Sequence, residues 1–241
     1  MKGAPFFGQR VLRLVRLTFL GHACFHIKSE QGEFLFDPYL TGNPKAAKKA
    51  QDVTADAILV SHGHSDHLGD AISISKRLSI PIIAAFELAI YCQQQGARTH
   101  AMHIGGDYTF PFGWVKLTPA WHGSSVLEEE KIIYTGQPCG FLVRSEGKTV
   151  YFAGDTGLFG DMRLLGDMYD IDAAMLPIGG NFVMGIEDAA RAAKMIRPQV
   201  VVPMHYDTFQ LIEQEPKEFA RLVQAEGIEC RILQPGEATD I

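Results

Sequence analysis

The chain has 241 residues, of which 46% are hydrophobic, and a formal net charge of -6. This length and hydrophobic content predict one compact domain spanning residues 1–241. The acidic balance argues against a broad electrostatic surface for nucleic acid, so we expect a small-molecule substrate and no nucleic-acid partner.

Membrane insertion and secretion are both disfavoured by the sequence. No apolar run approaches the roughly 20 residues that a membrane-spanning helix needs. The basic N-terminal segment leads into an apolar run that His22, His26 and Lys28 interrupt before it resembles a signal peptide. Four separated cysteines form no C-x-x-C pair and predict reduced thiols: Cys24, Cys92, Cys139 and Cys230. We therefore expect a cytoplasmic protein, for which a homo-oligomeric state remains open.

The predicted elements have the pattern of an α/β layered protein, because short β-rich runs alternate with helical stretches. The candidate strands are residues 16–26, 33–36, 57–61, 114–120, 141–144, 149–153, 173–176 and 200–203. Glu146 and Gly147 predict a tight hairpin between two of them. Helices are predicted at 70–78, 87–95, 186–196 and 216–226, the last with a proline in its first turn.

A dense cluster of metal-type residues follows the third candidate strand. The run Ser61-His62-Gly63-His64-Ser65-Asp66-His67 places three imidazoles and one carboxylate within six residues. Side chains two positions apart in an extended segment share a face, so His62 and His64 can chelate one ion. Asp66 and His67 follow where the chain turns towards a helix, and they can face a second ion. A chance cluster of surface histidines, or a mononuclear structural site, is the alternative for this motif alone.

Three later strands also lead directly to a possible ligand. Residues 117–121 precede His122, residues 151–154 precede Asp155, and residues 201–204 precede His205. Because the carboxyl ends of strands in α/β sheets form ligand-binding crevices, these side chains should converge with the His62 motif.

This pattern resembles the metallo-β-lactamase superfamily, whose H-x-H-x-D-H signature is met by His62 to His67. The local segments 21–25, 36–39, 153–156 and 176–181 look like those of small metal-dependent hydrolases related to the ascorbate-phosphate lactonases. The resemblance implies a four-layer αβ/βα sandwich. It also implies two metal sites, joined by a bridging Asp155, with these ligands: His62, His64 and His122 at the first, and Asp66, His67 and His205 at the second.

The resemblance further implies a hydrolase in which a hydroxide shared by both ions attacks a small ester, lactone, amide-like or phosphodiester substrate. Imidazole and carboxylate ligands suit two divalent ions, with zinc favoured and manganese, iron or nickel as alternatives. Metal ions at such sites bring the pKa of bound water to about 7.

Several further residues are candidates for supporting roles. Asp37 either orients a liganding histidine or is a turn residue before Pro38. His22 either contacts the substrate as a proton donor or is a buried, hydrogen-bonded histidine. Asp66, besides its role as a ligand, is a catalytic candidate. Tyr206 and Asn181 adjoin ligand loops, where they either stabilise an oxyanion or serve packing and turn roles.

Other segments receive weaker predictions. Residues 124–138, directly after His122, either form a loop over the cleft or a solvated insertion. Cys24 is expected in the core, and His26, His100 and His103 are expected to be structural or surface residues.

Two other functions remain as alternatives. A di-iron redox protein of this fold typically has a carboxylate at the position of His64 and an additional flavin domain. A non-catalytic metal-binding protein would normally have lost ligands, whereas all seven positions are filled here.

Overall fold

The computed structural model describes residues 14–241, so the basic residues Lys2, Arg10 and Arg13 lie outside the described part. The strands within it are β1 (Arg16–Gly21), β2 (Cys24–Ser29), β3 (Gly32–Phe36), β4 (Ala57–Leu59), β5 (Pro81–Ala85), β6 (Arg98–Met102), β7 (Asp107–Phe110), β8 (Gly113–Pro119), β9 (Ser125–Glu128), β10 (Lys131–Tyr134), β11 (Cys139–Ser145), β12 (Lys148–Phe152), β13 (Ala173–Pro177), β14 (Val200–Met204), β15 (Glu229–Cys230) and β16 (Ala238–Asp240). The helices are α1 (Ser65–Leu68), α2 (Ala71–Leu78), α3 (Phe86–Gln94), α4 (Met162–Met168), α5 (Ile186–Ile196) and α6 (Pro216–Ala225).

Two seven-stranded sheets form the centre of the molecule. The first has the strand order β16-β1-β2-β3-β4-β5-β6, and the second has the order β15-β14-β13-β12-β11-β8-β7. In the second sheet β12, β13 and β14 are parallel. Strand β8 runs in the same direction as β12, because both are antiparallel to β11. The carboxyl ends of β8, β12 and β14 therefore lie at one edge of the sheet.

The two sheets pack face to face through a large apolar core. Phe36 of the first sheet stacks on Phe152 of the second, with ring centroids 4.4 Å apart. Side chains alternate along β3, so that Phe34 and Phe36 enter this central core while Leu35 faces the outer layer.

Helices cover the outer face of each sheet. Ile74 of α2 and Leu88 of α3 pack with Leu35 of the first sheet, and α4, α5 and α6 pack on the second sheet. The arrangement is helix, sheet, sheet, helix, which confirms the predicted four-layer sandwich. None of the helices within residues 14–241 is long and apolar enough to span a membrane.

The structure departs from the sequence prediction at several points. Residues 16–26 are not one strand, because the chain turns at His22, whose φ of 59° lies in the left-handed region, and continues as β2. The elements that were not predicted are strands β5, β6, β7, β9, β10, β15 and β16 and helices α1 and α4. The polar sequence of β6, for example, gives little strand signal. The hairpin between β11 and β12 is confirmed, with Glu146 and Gly147 in its turn at positive φ.

Candidate metal centre

The strand ends bring all seven predicted ligand residues to one cleft between the sheets. His62 and His64 follow β4, and Asp66 and His67 lie in the short helix α1. His122, Asp155 and His205 lie just beyond the carboxyl ends of β8, β12 and β14 respectively. A backbone hydrogen bond of 3.0 Å from Cys139 N to Ser61 O joins the second sheet to the segment that carries His62.

The first group, called site 1, consists of His62, His64 and His122. The Nε2 atom of His62 lies 3.0 Å from Nδ1 of His64. The Nε2 atom of His122 lies 3.3 Å from the same Nδ1 atom. Three imidazole nitrogens thus converge with a spacing that allows them to hold one ion.

The second group, called site 2, consists of Asp66, His67 and His205. The Oδ2 atom of Asp66 lies 3.9 Å from Nε2 of His67 and 3.8 Å from Nε2 of His205. His205 reaches this position with a φ of 57°, and its backbone nitrogen donates a 2.8 Å hydrogen bond to His22 O. His22 also lies within ligand distance of this group.

Asp155 lies between the two groups. Its Oδ1 atom is 3.2 Å from Nε2 of His67, and its Oδ2 atom is 3.0 Å from Nε2 of His205 and 3.6 Å from Nε2 of His122. The carboxylate therefore contacts ligands of both sites. The adjacent Gly154 has a φ of 62°, and a Cβ there would lie 2.7 Å from Cys139 O, so this close approach of the chains requires glycine.

The buried polar atoms of this cluster fit metal ions better than they fit one another. Within the described chain, Nε2 of His67, Oδ1 of Asp155 and Nε2 of His205 are buried atoms that lie at the proposed sites without a properly aligned hydrogen bond. Buried polar groups in proteins are normally paired, because an unpaired group costs about 1–3 kcal/mol. Nitrogen and oxygen donors that converge at short distances without hydrogen-bond geometry fit divalent ions as the missing partners.

The surroundings of Asp155 keep its carboxylate ionised, which is the form that binds a cation. Burial alone would raise the pKa of Asp155, but the facing His205 and His67 outweigh it and hold that pKa well below its usual range. Burial lowers the pKa of His62 well below its ordinary value, and the neighbouring His67 adds to this effect. A neutral imidazole is the form that binds metal.

Asp37 orients one histidine of each site, His67 directly and His62 through Ser61. Its Oδ2 atom lies 2.7 Å from Nδ1 of His67 and accepts a 2.6 Å hydrogen bond from Ser61 Oγ. The Ser61 hydroxyl in turn lies 2.9 Å from Nδ1 of His62. Because Ser61 donates its proton to Asp37, Nδ1 of His62 donates to Ser61, and Nε2 of both histidines stays free for an ion. The orienting contact considered for Asp37 is present, whereas the part played by Ser61 was not predicted.

His22 is a buried, hydrogen-bonded histidine. Its Nδ1 atom lies 2.8 Å from Thr208 Oγ1, and its Nε2 atom lies 3.2 Å from Oδ2 of Asp66. Burial lowers its pKa to about 4, despite the bond to Asp66. The ring lies behind Asp66 and is not among the side chains that line the cleft pocket. The structure thus favours the buried alternative over a direct substrate contact.

Tyr206 and Asn181 are not among the residues that line the cleft pocket, where an oxyanion donor would have to lie. Tyr206 lines a separate cavity of about 120 Å³ that also borders His22, where burial raises its pKa to about 12. The position of Tyr206 therefore does not support a catalytic role, because its side chain lines that cavity and is not among the residues that line the cleft pocket. The role itself stays a prediction. Asn181 is exposed, and its neighbour Phe182 lines the pocket instead.

The cleft above the ligands is a pocket of about 440 Å³. Its wall includes four side chains that sequence reasoning did not single out, here called the apolar rim: Tyr39, Phe182, Phe209 and Leu211. In the sequence, the sign that these residues line a pocket is their position close after segments predicted to lie at the site. Phe209 and Leu211, for example, lie in the turn beyond His205.

Residues 124–138 do not cover this pocket. They form the β9–β10 hairpin, and none of them is among the described pocket-lining residues. The hairpin packs beside Gly63, where Ser124 Oγ accepts a 3.1 Å hydrogen bond from Gly63 N.

The remaining histidines and Cys24 have structural surroundings. His26 pairs with Glu33 at 3.2 Å. His100 packs against Tyr108, and His103 stacks on Phe86. Cys24 is fully buried in the outer core of the first sheet, as expected.

Comparison with known proteins identifies the family. Residues 16–205 match the sequence profile described as the β-lactamase superfamily domain. The chain belongs to the metallo-β-lactamase superfamily. A UPF0173 metal-dependent hydrolase of Pelotomaculum thermopropionicum is 51% identical over 229 residues, covering 94% of this chain and 100% of the relative. This metallo-β-lactamase-fold protein is a metal-dependent hydrolase.

Solved structures of the superfamily agree with the fold. Igni18, a metallo hydrolase from the hyperthermophilic archaeon Ignicoccus hospitalis, has a TM-score of 0.86 at 36% identity, covering 95% of this chain and 98% of that one. CmlA, a diiron β-hydroxylase from Streptomyces venezuelae, has a TM-score of 0.71 at 13% identity, covering 95% of this chain and 54% of that one. The second likeness concerns the fold alone.

Proposed function

We propose that the protein is a dinuclear metal hydrolase that cleaves a small carbonyl or phosphoryl substrate. The observation that carries the proposal is the position of Asp155, within 3.6 Å of His122 in site 1 and within 3.2 Å of His67 and 3.0 Å of His205 in site 2. A carboxylate between two ligand groups is the arrangement expected for a pair of ions about 3.5–4 Å apart.

The residues present would hold one ion at site 1 and a second at site 2, with Asp155 shared. Five imidazoles and two carboxylates favour zinc, with manganese, iron and nickel as further candidates. When bound, such a pair supplies a water of lowered pKa and positive charge that stabilises a developing oxyanion.

The chain's own residues contribute orientation of the ligand side chains. Asp37 holds the rings of His67 and, through Ser61, His62 so that their Nε2 atoms face the cleft. His22 holds Asp66 through a 3.2 Å contact. Side chains fixed in this way need no rearrangement during the reaction, which is the basis of electrostatic preorganisation. Asp66 has a side chain 28% exposed, so it is the site 2 carboxylate that a substrate can approach.

The proposal is tested by removing and restoring metal in a substrate panel. Protein stripped with a chelator should hydrolyse no chromogenic lactone, ester, amide or phosphodiester, and addition of zinc or manganese should restore turnover of one bond class. The variant Asp170→Ala, at an exposed position away from the cleft, is the matched control and should respond as the wild type does. Absence of turnover after each metal is added would contradict the proposal and favour a binding role.

A further inference from the structure

We infer that the substrate carries an uncharged, apolar group next to the bond that is cleaved, and that the apolar rim binds this group. The inference rests on the proposed function for the reaction itself, but it concerns a different part of the molecule. It assigns a substrate-binding role to Tyr39, Phe182, Phe209 and Leu211.

The apolar rim and the ligand residues line the same pocket. His64, Asp66, His122, Asp155 and His205 contribute the polar part of its surface. The rim comes from three separate segments: Tyr39 follows β3, Phe182 precedes α5, and Phe209 and Leu211 lie in the turn after β14. A substrate whose reacting bond lies at the ligands therefore has its adjoining group against the rim.

Three of the four rim residues are exposed apolar side chains, which favours a ligand-binding role. Phe182 is 48% exposed, Phe209 is 40% exposed and Leu211 is 66% exposed. Phe182 and Phe209 also approach each other edge to face, with centroids 6.4 Å apart. Clustered exposed apolar side chains beside a polar cleft are typical of ligand-binding surfaces.

Charge at the rim argues against an anionic group there. Among the described side chains that line the pocket, none is a lysine or arginine. The hydroxyl of Tyr39 donates a 3.0 Å hydrogen bond to Gly42 O, so its donor is used within its own loop. A phosphate or carboxylate on the adjoining group would lose hydration without gaining a cationic partner. Aliphatic chains and aromatic rings have no such cost.

The pocket size agrees with a small molecule. A volume of about 440 Å³ lies in the range of about 300–1,000 Å³ that is usual for small-molecule sites. The inferred substrate class is therefore a neutral ester, lactone or amide-like compound with an alkyl or aryl substituent, rather than a nucleotide or sugar phosphate.

The test uses substrates in which only the apolar tail grows. Two series serve, γ-lactones from γ-butyrolactone to γ-octalactone and ethyl esters from acetate to hexanoate, with hydrolysis followed by a pH indicator on metal-loaded protein. Full burial of a methylene is worth about fourfold, so in this open pocket we expect kcat/KM to rise about twofold per methylene. Monoethyl adipate, in which a carboxylate replaces the terminal methyl group of the hexanoate tail, should be at least about tenfold slower than ethyl hexanoate.

Substitutions in the apolar rim test whether its residues cause the preference for longer apolar tails. Phe182→Ser and Leu211→Ser, both at exposed positions, should each reduce the hexanoate-to-acetate ratio at least threefold. Ile132→Ser is the matched control, because Ile132 is 77% exposed on β10 and does not line the pocket. This control should keep the wild-type ratio.

A binding measurement separates this inference from the proposed function. Calorimetry should detect hexanamide binding to the metal-loaded protein more tightly than acetamide, with the difference reduced in Leu211→Ser. This result would support the apolar rim even if no ester or lactone were hydrolysed. Equal binding of the two amides, or equal hydrolysis of ethyl hexanoate and monoethyl adipate, would overturn the inference.

Discussion

The Nδ1 atom of His67 lies 2.7 Å from Oδ2 of Asp37, and both side chains are fully buried. This pair lies behind site 2, and Ser61 extends its influence to His62 of site 1. A single carboxylate thus orients one imidazole in each half of the proposed dinuclear centre.

Replacing that carboxylate should weaken metal binding without removing a ligand. In Asp37→Asn the side-chain shape remains, and asparagine tolerates the φ of 39° at this position. Loss of the charged partner of a liganding histidine costs about 10–100-fold in metal affinity. Titration against a competing chelator measures this, with the exposed Asp52→Asn as control. An unchanged affinity would show that Asp37 is only a structural turn residue.

Replacing Asp155 should weaken metal retention while leaving the chain folded. Asp155→Ala deletes the carboxylate that contacts His67, His122 and His205. We expect hydrolysis to fall below detection and metal content to fall below two ions per chain, with a circular dichroism spectrum like that of the wild type. Full metal content and turnover in this variant would refute the shared-carboxylate arrangement.

Gly63 should tolerate no side chain. A Cβ at this position would overlap Thr135 Oγ1 and would lie 3.2 Å from the backbone oxygen of Ser125. Gly63→Ala should therefore displace the β9–β10 hairpin or the His62–His64 segment, at a cost of about 1–3 kcal/mol in the free energy of unfolding. Gly123→Ala is the control, since its Cβ would meet only the His64 ring at 3.8 Å. Denaturant unfolding of both variants should give a clear difference, and equal stabilities would disprove the close contact.

Thr208 should stabilise the fold through His22. Thr208→Val keeps the side-chain shape but leaves Nδ1 of the buried His22 without its 2.8 Å partner. An unpaired buried polar group costs about 1–3 kcal/mol, so the midpoint of urea unfolding should fall. Thr109→Val, at an exposed position on β7, should leave the midpoint within error. A loss no larger than that of the control would mean that water replaces the hydroxyl.

Tyr206 should make little difference to the reaction. Its side chain lines the cavity of about 120 Å³ on the other side of His22, rather than the cleft. Tyr206→Phe should therefore keep kcat/KM within about twofold of the wild type. A loss that approaches the roughly 100- to 1000-fold effect of removing an oxyanion donor would restore Tyr206 as a catalytic residue.

The convergence of the predicted ligand residues could be anticipated because its signals are local. His62, His64, Asp66 and His67 are close in sequence, and each later ligand follows an apolar strand, so sheet geometry alone brings them together. The alternation of strands and helices predicted an α/β layered protein, and the four-layer arrangement followed from the resemblance to the metallo-β-lactamase superfamily.

Other parts of the site depend on contacts that no local pattern encodes. His22 pairs with Thr208 across 186 positions of sequence, and the apolar rim combines side chains from three loops. The left-handed conformation of His205 has no neighbouring glycine to mark it, so the sequence does not show where the next side chain, Tyr206, lies. At His22 the preceding Gly21, also at positive φ, is the local signal of the turn that separates β1 from β2.

The number of metal ions bound per chain tests the central claim most directly. Native mass spectrometry of metal-saturated protein should show two ions per chain, and His122→Ala, which removes one ligand of site 1, should show one. A single ion in the saturated wild-type chain would contradict the dinuclear centre.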